Sequence, residues 1–277
     1  MIGAMTDNPE VGSSIVANGI TTNYHVAGEG PPVILVHGSG PGVSAWANWR
    51  LNIGALAERN TVYALDMVGF GFTERPEGID YSLTTWREHA IGFADALGLD
   101  RFSLVGNSFG GALALSVATT VPDRVHKLVL MGAVGVPFEI TEGLDRVWGY
   151  EPSIEVMRGL LDIFAYDRGL VNDELARMRY EASIRPGFQE SFSAMFPAPR
   201  QRWVDAMTVD EEAIRALPHD TLILHGRDDQ VIPLANALQL LELIERSEAH
   251  LFGRCGHWTQ IEHATTFNQL VGDFLNR

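Results

Sequence analysis

A chain of 277 residues with 46% hydrophobic and 20% charged residues has the make-up of a folded globular protein, unlike a disordered one. It is long enough for one large α/β domain with an insertion, or for two small domains. Twenty Lys and Arg (20) against 35 Asp and Glu give a formal net charge of −15, which repels nucleic acid and anionic membrane. An anionic ligand would therefore need a local cationic pocket. The one cysteine, Cys255, excludes an internal disulfide and fits a reducing compartment. The first 14 residues lack the basic and apolar regions of a secretory signal, and no apolar run approaches the roughly 18 residues of a membrane span. A cytoplasmic protein with no membrane partner is the expectation.

In chain order, runs at 14–17 and 20–26 flank Asn18-Gly19, a strong hairpin signal. Strand-like apolar runs follow at 33–36, 62–65, 102–105 and 128–131, separated by helical patterns at 46–59, 84–97 and 110–120. This alternation predicts a mostly parallel, twisted sheet with helices on both faces. From about 136 to 207 the chain keeps helical periodicity without a clear strand, most plainly at 154–164 and 173–180. Pro137, Pro152, Pro186, Pro197 and Pro199 punctuate that segment. The alternation resumes with a strand at 221–224, a helix at 234–244, a strand at 249–252 and a helix at 264–275. The reading is an α/β core, residues 1–135 and 208–277, interrupted by a helical lid at 136–207. No internal repeat or low-complexity tract interrupts it.

The most informative motif is Gly106-Asn107-Ser108-Phe109-Gly110, a G-x-S-x-G placed between a strand and a helix. Glycines permit the sharp turn, and the helix N-terminus beyond Ser108 favours developing negative charge. A serine hydroxyl needs a base, and the base an orienting acid; in chain order these are expected as Ser, acid, His. Downstream, Asp228 and Asp229 both stand on a loop after a strand. Asp229 is favoured because it lies further out, three residues past Gly226, while Asp228 can pair with Arg227. His257 follows the last strand in a Gly-containing loop and is the expected base. His25, His89, His126, His219, His225, His250 and His263 read as packing or surface residues. His37 opens the run His37-Gly38-Ser39-Gly40-Pro41-Gly42, whose backbone can offer an N–H to an oxyanion alongside that of Phe109. That run lacks the lysine and spacing of a phosphate-binding loop. Cys255 has no base of its own and reads as a packing residue. No metal-ligand spacing is present, and no cofactor is expected.

Together these motifs resemble the α/β-hydrolase superfamily over nearly the whole chain. More narrowly, the chain resembles the meta-cleavage product hydrolases, C–C bond hydrolases of bacterial aromatic degradation. The resemblance rests on the stretch from His37 to Arg50, on the elbow with Asn107 before Ser108, on Arg179-Tyr180-Glu181-Ala182-Ser183, and on Cys255-Gly256-His257-Trp258-Thr259-Gln260. It implies an α/β-hydrolase fold with the lid between the sixth and seventh core strands, and a homo-oligomer, dimer or higher. The implied substrate is a small anionic 2-hydroxy-6-oxo-hexa-2,4-dienoate. The implied polar subsite is Asn48, Asn107, Arg179 and Trp258, in which a guanidinium suits a carboxylate and amides suit an enol or keto oxygen. Read without the resemblance, Asn48 could cap a helix near Trp49, and Arg179 could pair with Glu174 or Glu181. The implied apolar subsite is Val134, Leu144, Trp148, Val204, Val231 and Ile232. Its bulky, branched character favours a hydrogen or small alkyl group at C6 over a phenyl ring.

The implied chemistry has two stages. The bound dienol ketonises with His257 as proton shuttle, and Ser108 or an activated water then attacks the C6 carbonyl while the Ser39 and Phe109 N–H groups hold the oxyanion. A carboxylesterase on the same scaffold, a hydrolase of aryl-substituted products (biphenyl, carbazole or dioxin type) and a non-catalytic small-ligand receptor are the competing readings.

Overall fold

The computed structural model describes residues 8–277. The expectation that no signal precedes the fold falls partly on residues 1–7, outside the described residues. Eight strands form one sheet: β1 (Ser13–Ala17), β2 (Ile20–Ala27), β3 (Pro32–Val36), β4 (Thr61–Leu65), β5 (Phe102–Asn107), β6 (Val125–Met131), β7 (Asp220–Gly226) and β8 (Ser247–Phe252). Their spatial order is β1-β2-β4-β3-β5-β6-β7-β8. β1 and β2 pair antiparallel through the Asn18-Gly19 turn, where both residues take positive φ (49° and 79°) as a tight hairpin turn requires. β2 also pairs antiparallel with β4, and every pairing from β4 through β3 to β8 is parallel. Burial on both faces explains why short apolar stretches such as Val33-Ile34-Leu35-Val36 are legible as strands.

Side-chain alternation sorts the core into two layers. Ile34 and Val36, Leu104, Leu128 and Leu130, and Ile223 face one cluster. Val33 and Leu35, Val105, Val129 and Met131, and Leu222 and Leu224 face the other. The period of two along each strand is what puts neighbours on opposite faces. The first layer is covered by α3 (Leu83–Ala96), α4 (Phe109–Thr120) and α11 (Leu234–Leu243). The second is covered by α1 (Ala45–Trp49), α2 (Ile53–Leu56) and α13 (Ala264–Leu275), with the four-residue α12 (Thr259–Glu262) leading into the last.

The single helix expected at 46–59 is two short ones. The chain turns at Arg50–Asn52 because the buried Asn52 side chain is held by tertiary partners, donating to the Gln260 carbonyl at 3.1 Å and to Asn268 Oδ1 at 2.8 Å. Periodicity cannot see such partners. The other helix expectations agree with the structure to within a residue or two, apart from the longer C-terminal end of the helix beginning at 173.

Between β6 and β7 lie α5 (Glu142–Trp148), α6 (Ile154–Phe164), α7 (Asp173–Ser183), α8 (Phe188–Met195), α9 (Gln201–Ala206) and α10 (Glu211–Arg215). Four carry side-chain caps at their starts: Thr141, Ser153, Asn172 and Asp210 each accept a hydrogen bond from the N–H three residues on. Those caps, with the prolines between them, cut the segment into short helices that wrap over the C-terminal edge of the sheet. Among the described residues no helix is long and apolar enough to cross a membrane.

Candidate active site

Ser108 sits at the junction of β5 and α4 with φ 56° and ψ −115°, a left-handed region that a non-glycine residue rarely occupies. Gly106 and Gly110 make the turn possible. A Cβ on Gly106 would run into the Gly110 carbonyl, and one on Gly110 into the Val36 carbonyl of the adjacent strand. The backbone is pinned by Ser108 N–H donating to Met131 O at 2.8 Å, and Val134 N–H donating to Ser108 O at 3.1 Å. The serine side chain therefore projects from the first turn of α4 into a cavity that Gly38, Ser39, Asn48, Asn107, Arg179, His257 and Trp258 also line.

The candidate acid and base meet on the loops that follow β7 and β8. Asp229 Oδ2 lies 2.8 Å from His257 Nδ1, and Oδ1 accepts from the Val231 and Ile232 N–H groups at 2.7 and 3.0 Å. With Asp229 ionised, Nδ1 carries the proton that it donates, which leaves Nε2 as the ring's acceptor. Burial opposes the Asp229 charge, but the imidazole of His257, then His225 at 3.5 Å and the Ile232 N–H, outweigh it and hold the carboxyl below its ordinary range. Asp228 points away, pairing with Arg227 at 3.3 Å. Of the two neighbouring aspartates, only Asp229 touches the imidazole. His225 is fully buried and bonds the Ile232 carbonyl at 3.0 Å, a role in shaping the acid loop.

The glycine-rich loop after β3 is anchored by its histidine. His37 Nδ1 donates to the Gly38 carbonyl at 2.8 Å and Nε2 accepts from Met67 N–H at 3.0 Å, which fixes a neutral ring. Burial pushes its pKa down to about 4. Ser39, the next residue but one, lines the cavity, and its Oγ accepts from the Trp148 indole N–H at 2.9 Å. Phe109 is buried against Trp86 and Phe70, with ring centroids at 4.7 and 5.4 Å, so its backbone N–H is held at the start of α4.

The four polar residues that the resemblance implied all line the same cavity. Asn48 is not a helix cap, since α1 begins three residues earlier and Ser44 Oγ accepts the Ala47 N–H at 3.1 Å. Instead Asn48 Oδ1 accepts from Asn107 Nδ2 at 2.8 Å and from Gly38 N–H at 3.4 Å. That leaves Asn48 Nδ2 and Asn107 Oδ1 buried without partners. Arg179 pairs with neither Glu174 nor Glu181; its guanidinium reaches the Pro41 carbonyl at 3.3 Å. Burial, partly offset by Glu10, pushes its pKa down to about 10, so it is cationic at neutral pH. Among the described residues Arg179 has no carboxylate partner, and it lines the cavity together with the two asparagines whose amide atoms are unpartnered. Trp258 stacks on Phe164 at 5.0 Å and 11°.

The apolar wall differs in part from the expectation. Leu144 and Val231 line the cavity, whereas Val134, Trp148, Val204 and Ile232 are buried behind it. Trp148 is drawn away by its bond to Ser39 and by stacking on Phe196 at 4.2 Å and 7°. Val147 of α5 and Met157, Leu161 and Phe164 of α6 take that wall. Their spacing of three to four residues marks a buried helix stripe in the sequence, but it does not say what the stripe faces. Cys255 is buried, and burial followed by the nearby Glu262 pushes its thiol pKa up, so it is an inert packing residue.

A family model for the alpha/beta hydrolase fold matches residues 31–264. The eight-stranded, mostly parallel sheet with helices on both faces is the fold of that class. Among curated relatives, 2-hydroxymuconate semialdehyde hydrolase of Pseudomonas sp. strain CF600 is 60% identical over 274 residues, covering 99% of this chain and 97% of the relative. The 2-hydroxy-6-oxo-2,4-heptadienoate hydrolase of Pseudomonas putida strain F1 is 62% identical over 268 residues, 97% of each chain. A solved meta-cleavage product hydrolase from Pseudomonas fluorescens IP01, a serine-to-alanine variant complexed with acetates, superposes with a TM-score of 0.96 at 62% identity, covering 97% of this chain and 99% of that one. The chain belongs to the meta-cleavage product hydrolases of the α/β-hydrolase family.

Proposed function

We propose that this protein hydrolyses the C5–C6 bond of 2-hydroxy-6-oxo-hexa-2,4-dienoates that carry a hydrogen or small alkyl group at C6. The products are 2-hydroxypenta-2,4-dienoate and a carboxylic acid. The observation that carries this reading is the division of the cavity around Ser108. One side holds Arg179 and the unpartnered atoms of Asn48 and Asn107, and the other is a wall of Leu144, Val147, Met157, Leu161, Phe164 and Val231. An ester with two apolar ends has no use for the first side; a dienoate, anionic at C1 and apolar beyond C6, matches both.

On this reading Arg179 grips the C1 carboxylate, while Asn48 and Asn107 meet the C2 oxygen. His257 moves the proton from the C2 hydroxyl to C5, giving the 2,6-dioxo form. Ser108, or a water deprotonated by His257, then attacks C6 while the Ser39 and Phe109 N–H groups hold the oxyanion. As the tetrahedral centre collapses, the C5–C6 electron pair flows through the C3=C4 bond onto the C2 oxygen; where Ser108 is the attacking group, a water deprotonated by His257 then hydrolyses the acyl-serine and releases the carboxylic acid. Asp229 keeps the imidazole in the required tautomer and supports its positive charge.

The names of the two relatives support the small C6 group, since a semialdehyde carries hydrogen there and a heptadienoate carries methyl. The bulky lid side chains support it too. The test is direct. Purified protein should bleach the yellow dienoates with C6 hydrogen or methyl at a higher kcat/KM than the C6-phenyl analogue. Hydrolysis of p-nitrophenyl esters without bleaching would instead make the protein a carboxylesterase, and a phenyl preference would overturn the small-group reading.

A further inference from the structure

Glu262, at the end of α12, has each carboxylate oxygen committed to a different segment. Oε1 accepts the Gly256 N–H at 2.7 Å, with the Cys255 thiol beyond it at 3.8 Å. Oε2 accepts the N–H groups of Tyr166 and Asp167, both at 2.8 Å. The first pair belongs to the loop that carries His257, and the second to the stretch that follows α6. Between them the same two segments meet directly: His257 N–H donates to the Phe164 carbonyl at 2.8 Å, and the Phe164 ring lies 6.0 Å from the imidazole, stacked. A Cβ on Gly256 would sit 2.6 Å from the Phe164 carbonyl and 2.9 Å from the Tyr166 nitrogen, so the two backbones are in contact there.

The Asp229 bond fixes the tautomer and one end of the imidazole. It does not fix where the backbone of His257 stands relative to Ser108. On one side the His257 loop is held to the loop that follows β7, where the Asp228 N–H donates to the Cys255 carbonyl at 2.9 Å; on the other it is held to residues 164–167, through the Phe164 carbonyl and through Glu262. We propose that Glu262 is a positioning residue for His257, buckling the 164–167 stretch to the 255–257 loop so that the base is in register only while the α6 end is docked. This rests on the reading of His257 as the base. A donor-rich backbone needs an acceptor with two separated oxygens here, and a carboxylate supplies both at charge-assisted strength.

The test uses Glu262→Ala and the isosteric Glu262→Gln, assayed on a C6-methyl dienoate and on p-nitrophenyl acetate, with His257→Gln as control. Displacing a base by a fraction of an ångström lowers turnover, so kcat on both substrates should fall by roughly 10- to 100-fold in Glu262→Ala while KM stays within about 2-fold. Glu262→Gln, which keeps one acceptor, should recover part of the loss. Amide exchange at Gly256, Tyr166 and Asp167 should quicken together in Glu262→Ala. If Glu262→Ala does not fold, Glu262→Gln carries the comparison alone, with a smaller loss in kcat. Unchanged kcat in either folded variant, or a rise in KM at unchanged kcat, overturns the proposal. Turnover surviving in His257→Gln removes the base assignment instead, and the two failures are thereby told apart.

Discussion

Asn107, the residue before the elbow serine, donates through Nδ2 to Asn48 Oδ1 at 2.8 Å and so orients both amides at once. The bond uses one polar atom of each and leaves the other, a donor on Asn48 and an acceptor on Asn107, buried without a partner. A hydroxyl or enol oxygen, which both donates and accepts, fits between them, whereas a simple carbonyl satisfies only one.

Arg179→Gln should lower kcat/KM for a dienoate by roughly 10- to 150-fold, the loss of a charge-assisted contact of about 1.5–3 kcal/mol. The same change should leave p-nitrophenyl acetate hydrolysis almost untouched, because that ester offers nothing for a guanidinium to hold. The ratio of the two kcat/KM values in wild type and variant checks it. Equal losses on both substrates would mean that Arg179 holds α7 to the Pro41 loop and does not read the substrate.

Ser108→Ala should abolish dienoate turnover and keep dienoate binding, measured by the bound chromophore's spectrum, since the polar subsite is intact. Ser108→Gly should be equally inactive yet more stable than Ser108→Ala by about 1 kcal/mol, because glycine accepts φ 56° without strain. Chemical unfolding of the two variants gives the difference, and an alanine variant at least as stable as glycine would remove strain from the account.

Asp229→Asn should cost several orders of magnitude in kcat, since an amide no longer selects the imidazole tautomer that accepts the serine proton. Asp228→Asn should be within about 2-fold of wild type, as an exposed pair with Arg227 contributes little. The reverse pattern would move the acid by one residue.

Asp66 gives a pH dependence. It is fully buried with no cation touching it, accepting from the Ala45 and Phe72 N–H groups and from Asn23 Nδ2. Burial outweighs those bonds and raises its pKa to about 6 from an ordinary 3.8. A carboxyl raised in the folded state contributes stability that is fully present below the unfolded pKa and lost as pH rises through the folded one. The shift amounts to on the order of 3 kcal/mol. The unfolding free energy of wild type minus that of Asp66→Asn should therefore fall between about pH 4 and pH 6 and then level off. A difference that rises over that window contradicts the assignment.

Ser108, Asp229 and His257 were legible as candidates because each stands in a short local pattern: an elbow between strand and helix, and two loops directly after strands. Strand runs such as 33–36 were legible because burial on both faces leaves an unbroken apolar signature. Asn52 was not, since the bonds that break the helix reach it from Gln260 and Asn268, more than two hundred residues away in sequence. Arg179 could not be told from a surface arginine by periodicity, and only the likeness to a known family singled it out. Met157, Leu161 and Phe164 announced burial but not the cavity, because a helix stripe records how much it hides and not what stands opposite.

β6 and β7 are neighbours in the sheet, with Met131 beside Leu224, although residues 132–219 intervene in the chain. The inserted segment thus leaves the scaffold and returns to it through one narrow doorway. Ser108, Asp229 and His257 all lie outside that excursion, as does Val231, while Leu144, Val147, Met157, Leu161 and Phe164 all lie within it. A cassette hung on adjacent posts can be reshaped, lengthened or exchanged without pulling the sheet apart, because closing a longer loop between fixed ends costs only logarithmically more. Most of the apolar wall is therefore carried on a different stretch of polypeptide from the elbow and the Asp229–His257 pair, and an exchanged cassette has one seam to keep: the contacts of residues 164–167 with the His257 loop and Glu262.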